Sequence, residues 1–381
     1  MAPTGTVGIR APAPLGRVAG VAAVTVDRSV KSRTDPDREP GTVPAMRVDA
    51  PLGPDLHTPP PTARSLEEAG YAGAWTAEIK NDPFLPLLRA AESTERLQLG
   101  TGIAVAFARN PMLVANIGDD LQRFSEGRFI LGLGSQIKPH ITKRFSMEWS
   151  RPAARMREFI AATRAIWASW QDGSRLDFRG DFYTHTLMTP MFDPGPNPYG
   201  QPLVFLAGVG ERMTEVAGEV CDGFLCHGFT TERYLREVTL PALERGFQKG
   251  GRRREDFQIS GPAFVVTGAT EEEMADSEAA TRGQIAFYGS TPAYRPVLEL
   301  HGWGGLQDEL TAMSKEGRWD EMGGLIDDEV LHTFAVVAEP SAVAAELQAR
   351  YGDVIDRIMF YAPYRSDPDT WLPVLAELSA D

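Results

Sequence analysis

Two apolar runs that end in glycines limit the fold more than any other feature. The first is Arg128-Phe129-Ile130-Leu131-Gly132-Leu133-Gly134-Ser135-Gln136, and the second is Pro202-Leu203-Val204-Phe205-Leu206-Ala207-Gly208-Val209-Gly210. Each reads as a short strand that needs apolar cover on both faces. Glycines at the exits let backbone approach a ligand without side-chain bulk. A helical pattern follows the second run at once. Two such strands in one chain predict a parallel sheet with its site at the strands' C-terminal ends.

The rest of the chain repeats the alternation. Strands are expected at 46–50, 72–76, 97–107, within 128–136, at 203–207, 222–227, 257–267 and 357–361. Helical spacing lies between them: Phe84, Leu87, Leu88 and Ala91, or Leu113, Ile117, Leu121 and Phe124. That order and length predict an α/β chain of the (β/α)8 TIM-barrel class over residues 46–363. An open doubly wound sheet is disfavoured, because the first strand is not followed by a Gly-rich fingerprint or a ribose-holding acid. Residues 171–201 and 287–320 lack a clear period and are rich in aromatics, Pro and Gly. They are expected to be irregular inserts that form a lid, a binding loop or a pairing surface. Residues 1–45 lack an apolar stripe and read as a disordered extension, and 364–381 as a C-terminal tail.

Charge and composition narrow the function. A net charge of -14 argues against nucleic acid or an anionic membrane surface as partner. No run approaches the length of a membrane span. Cys221 and Cys226 read as buried packing residues, and a disulfide scaffold is excluded. His140, His185 and His227 are low-ranking polar candidates. None has zinc spacing with a carboxylate nearby, so no metal is expected and a metal-dependent hydrolase is disfavoured.

Four segments together resemble one family. Gly100-Thr101-Gly102-Ile103 with Asn110-Pro111, Gly127 to Gly134, Ala207 to Gly210 and Ala217 to Gly223 are similar to the bacterial luciferase-like monooxygenases. The nearer resemblance is to the branch that uses the deazaflavin coenzyme F420. It implies a small-molecule oxidoreductase, cytoplasmic and dimeric, that transfers a hydride at the deazaflavin C5. The alternatives it leaves open are an FMN-dependent monooxygenase and a non-catalytic flavin-binding protein.

The resemblance also assigns positions. Gly102 and Ile103 match a third-strand bulge where relatives carry a non-proline cis peptide behind the cofactor ring. Gly134 and Ser135 match the fourth-strand exit. Gly208, Val209 and Gly210 match the fifth, where relatives bind the cofactor phosphate, and amides at a helix start suit an anion. Glu78 stands where F420-dependent alcohol and sugar-phosphate dehydrogenases carry a histidine, and is the candidate general base or acid. Ile137 stands where those relatives have a glutamate, which weakens that narrower assignment.

Overall fold

The computed structural model describes residues 45–380. The expected extension at 1–45 therefore lies outside the described residues, Ala45 excepted. The strands are β1 (Arg47–Pro51), β2 (Gly73–Thr76), β3 (Gln98–Thr101, resuming at Ala104–Val105), β4 (Phe129–Gly134), β5 (Leu203–Ala207), β6 (Gly223–Leu225), β7 (Gln258–Val266) and β8 (Arg357–Tyr361). All neighbours are parallel, and the sheet closes where Arg47 pairs with Arg357. This is the predicted TIM barrel. A further short strand, Ala335–Val337, pairs with the C-terminal part of β7, beyond the residues of β7 that pair with β6.

Alternation along each strand divides the core in two. Leu99, Leu131, Val204, Leu206, Val265 and Ile358 point outward and meet the helices in one continuous buried cluster. Burying one such side chain contributes about 1.5–3 kcal/mol. Their neighbours point inward and fill the barrel in layers.

The lowest layer is polar. Arg357 makes a two-pronged pair with Asp49, at 2.6 and 2.8 Å, and donates to Gln98 Oε1 at 2.5 Å. Both charged side chains are essentially inaccessible, at 0% and 1% exposure. Above them Trp75, Ile130 and Phe205 form a second layer with Leu225 and Met359. Glycine makes room for the large rings. A Cβ on Gly100 would stand 2.4 Å from the Trp75 ring, and one on Gly223 would stand 2.6 Å from Phe205. The interior is therefore filled, and a ligand has to bind above it.

Local chemistry sets the helix starts. Asn110 caps the Pro111–Phe124 helix, its side chain accepting from the Met112 N–H at 2.9 Å, with Pro111 in the first turn. The insert at 171–201 is tied down. Glu158 accepts the backbone N–H groups of Asp181, Phe182 and Tyr183, and Asn197 donates to Asp119 at 2.8 Å. Within this insert Phe178–Arg179 and Thr184–His185 pair as a small antiparallel hairpin.

Two sequence expectations need correction. Residues 287–320 are helical rather than irregular: Glu271–Gly289 runs through the start, and Arg295–Leu300 and Gly304–Glu316 follow. Pro292, Pro296, Gly302 and Gly317 cut them into pieces too short to show a period. These helices share a second core of Ile285, Leu298, Leu310, Met322, Leu331 and Phe334. Residues 364–381 are not a loose tail. Helix Trp371–Leu378 buries Trp371, Val374, Leu375 and Leu378, stacks Trp371 on Phe360 with centroids 4.8 Å apart, and accepts the Met46 N–H at Leu378 O.

Candidate active site

Counting on by twos from the filled layer gives the residues at the mouth. From β1 to β5 they are Pro51, Ala77, Gly102, Gly134 and Ala207; from β6 and β8 they are His227 and Tyr361. The first group is small, and Pro51, Ala77 and Gly102 are exposed. The second group is bulky. The mouth is thus a low shelf facing an aromatic wall.

The shelf contains the sequence candidates of β3 and β4. The Gly102–Ile103 peptide is cis, as the resemblance implied. A Cβ on Gly102 would meet nothing closer than 3.6 Å, so its face is open to the mouth. Gly134 is buried because the Ile103 side chain lies over it, and a Cβ there would stand 2.9 Å from Ile103. Ser135 follows, half-buried, with its hydroxyl donated to Gln136 O. Ile137 is half-exposed in the next turn.

Glu78 is held in place by the break in β3. Its N–H donates to Ile103 O at 3.2 Å, and its carboxylate accepts from the Val105 N–H at 2.7 Å and from Arg109 at 2.5 Å. Arg109 also pairs with Asp82 at 3.2 Å. With its side chain 7% exposed, Glu78 braces both sides of the cis peptide. Both contacts are made through Oε2, at the position expected for a general base.

The β5 exit leads straight into a helix start. Gly210 is the N-cap of helix Glu211–Val220, with φ -109° and ψ 149° and no side-chain cap. The first N–H groups of such a helix have no partner within it and carry the positive end of its dipole. A Cβ on Gly210 would meet nothing within 4 Å, whereas one on Gly208 would touch Met213 at 3.1 Å. Gly208 thus allows the helix to start close against the strand. The Gly210 backbone is ordinary extended chain. Val209 is 40% exposed, and Glu211 turns away to pair with Arg245 at 2.7 Å.

The wall joins His227, a low-ranking candidate of the sequence, to aromatics of the 287–320 insert, a pairing the sequence did not show. His227 follows β6; its Nδ1 accepts from the Phe229 N–H at 3.0 Å, and its Nε2 lies 3.0 Å from Tyr294 Oη. Tyr288 and Tyr361 share a 2.7 Å hydrogen bond, and the Tyr288 ring meets His227 edge-on. Burial lowers the His227 pKa to about 4 and raises that of Tyr294 to about 12. The wall is built from the 287–303 segment and not from residues 180–200. His140 is exposed after β4, and His185 is on the small hairpin, its Nε2 without a partner among the described residues. Cys221 and Cys226 are free and buried, the Cys226 thiol pushed up to about 12 by burial. Among the described residues no three His, Cys, Asp or Glu side chains converge as a metal site requires.

The luciferase-like monooxygenase family description matches residues 36–357. The chain belongs to that family. It is an enzyme of the oxidoreductase kind. This luciferase-like protein is 58% identical over 314 residues to an uncharacterized protein of Mycobacterium tuberculosis, covering 82% of this chain and 92% of the other. It is 28% identical over 300 residues to a provisionally named coenzyme F420-dependent oxidoreductase of the same organism, covering 74% and 84%. In fold it is similar to the coenzyme F420 dependent tetrahydromethanopterin reductase of Methanopyrus kandleri. That comparison has a TM-score of 0.70 and 19% identity, over 88% of this chain and 98% of the other. No helix of the described residues is long and apolar enough to cross a membrane.

Proposed function

We propose that this enzyme is an F420-dependent oxidoreductase that moves a hydride between the deazaflavin C5 and a small organic substrate. The observation that carries the reading is the pairing of an open small-residue shelf with a glycine-capped helix start, on one mouth of the barrel. A flat ring with an anionic tail needs both, and the residues present fit one. Gly102 and Ile103 would back the ring, Gly134 and Ser135 would let it approach β4, and the amides at Gly208, Val209 and Gly210 would hold the phosphate. The cofactor supplies the hydride chemistry. The chain's own part is to fix the ring, exclude water and hold the substrate against the wall. The similarity to a relative named for F420 adds support.

Anaerobic mixing of reduced F420 with unsaturated carbonyl compounds tests the reading. Recovery of the oxidised cofactor's absorbance only when protein and acceptor are both present supports it. Turnover only with reduced FMN and oxygen would make the chain a monooxygenase, and binding without turnover would make it a flavin-binding protein.

We further propose a homodimer in the cytoplasm. Leu85, Leu88, Leu113 and Phe124 are exposed on helices Phe84–Ala91 and Pro111–Phe124, beside a groove of about 500 Å3. Apolar surface of this kind suits a self-complementary contact, and two free buried cysteines suit a reducing compartment. Sedimentation with a Leu113→Glu variant tests the contact, which predicts a monomer.

A further inference from the structure

The wall has a fixed hydrogen-bond polarity. The Phe229 N–H points at His227 Nδ1, 3.0 Å away, so this nitrogen is the acceptor of the ring. A neutral imidazole then carries its proton on Nε2. Nε2 faces Tyr294 Oη at 3.0 Å, and the phenol oxygen is therefore the acceptor in that contact. The Tyr294 proton is left to point at something else. The Tyr288–Tyr361 pair behaves alike: one phenol donates to the other at 2.7 Å, and the second proton is left over. No carboxylate hydrogen-bonds any of these four side chains among the described contacts.

A wall that offers protons and no negative charge suits a neutral acceptor atom. It does not suit a substrate alcohol that must lose its proton, since Glu78 is occupied by Arg109 and Val105. The shelf and the wall also stand on different parts of the barrel, β1 to β5 against the exits of β6 and β8 with the 287–303 segment. The carbon that takes the hydride and the oxygen that takes the charge are thus best separated by a conjugated spacer.

We propose that Tyr294, oriented by His227, donates a hydrogen bond to the carbonyl oxygen of a neutral conjugated ketone or aldehyde. The inference rests on the proposed hydride transfer. In that step the hydride pair forms a new C–H bond at the far carbon of the C=C–C=O unit. The carbon–carbon π pair shifts toward the carbonyl, and the oxygen gains the negative charge that Tyr294 stabilises. Water then protonates the inner carbon to give the saturated carbonyl compound, and the reduced deazaflavin has lost two electrons. Tyr294 touches the substrate in this account, and His227 is a positioning residue.

The test uses the full chain with 2-cyclohexenone labelled with carbon-13 at the carbonyl, with and without oxidised F420. A hydrogen bond to the oxygen moves the carbonyl resonance downfield. The downfield displacement is expected with wild type and lost in Tyr294→Phe, which keeps the ring, with about tenfold weaker enone binding. His227→Leu should diminish the displacement while F420 binding, followed by its fluorescence, is unchanged. It also reads the same displacement if Tyr294→Phe fails to fold. An undiminished displacement in Tyr294→Phe, or none in a wild type that binds F420, overturns the inference. A wild type that fails to bind F420 yet shows a Tyr294-dependent displacement counts against the cofactor reading alone.

Discussion

Replacing Gly210 by aspartate should separate the anion cradle from the fold. Gly210 has φ -109° and ψ 149°, which aspartate adopts freely, and its Cβ would meet nothing within 4 Å. Aspartate is also a preferred N-cap, because its carboxylate accepts first-turn N–H groups. Relative to glycine the cap and the helix dipole together should change stability by about 0.5–1 kcal/mol in the favourable direction. Binding should move the other way. The carboxylate takes up a donor that the phosphate needs and adds a like charge at contact range. Two charges about 4 Å apart repel by about 1 kcal/mol in water and about 4 kcal/mol at a partly buried surface. Even the lower bound, with one donor lost, gives at least a tenfold weaker F420 affinity, about 1.4 kcal/mol. The penalty should shrink with added salt. Fluorescence titration gives the affinity, and circular dichroism of the same sample gives the melting midpoint. A folded Gly210→Asp protein with unchanged affinity at low salt would refute the reasoning.

Three further outcomes follow from particular contacts. Arg357→Met leaves Asp49 buried without a partner and should cost about 3–5 kcal/mol, while adding Asp49→Leu should recover much of it; urea midpoints decide. His227 is buried against Tyr288 and Tyr294 and stays neutral in the fold down to about pH 4, whereas in the unfolded chain it titrates near its ordinary value of 6.5. Its lowered folded pKa makes the stabilisation complete above that value and progressively lost as pH falls from 6.5 toward 4; His227→Gln should therefore flatten the pH dependence over that window by about 2–3 kcal/mol, read as the wild-type minus variant difference. Deleting 1–44 should leave Tm within about 2 °C, whereas deleting 370–381 should lower it by more than about 5 °C because four core side chains go with it.

Those residues also mark what could be read in the chain. The eight barrel strands were legible because they alternate with helical patterns, and β4 and β5 in particular are short apolar runs with glycines at their exits. Gly102, Gly134, Gly208 and Gly210 could be placed at strand exits because each follows such a run, and the fold puts them at or just past the strand ends. The wall was not legible. Tyr288 ends the long Glu271–Gly289 helix and Tyr294 lies in the short turn Pro292–Tyr294 that follows, and nothing local says that they reach His227, more than sixty positions earlier. The same holds for Asp49 and Arg357, which meet only when the barrel closes. Glu78 was legible as a position and not as a role. Its neighbour Arg109, separated by the β3 break, decides what the carboxylate holds. The helix at Trp371–Leu378 has only two turns, too few for its apolar stripe to stand out from a tail.

The shelf and the helix start are proposed to receive a deazaflavin. The most direct test is a competition on the purified full chain, with F420 and FMN titrated separately and then against each other by fluorescence. Micromolar or tighter F420 binding, weakened by Gly210→Asp and not displaced by equimolar FMN, is the predicted result. Micromolar FMN binding with no detectable F420 binding would contradict it.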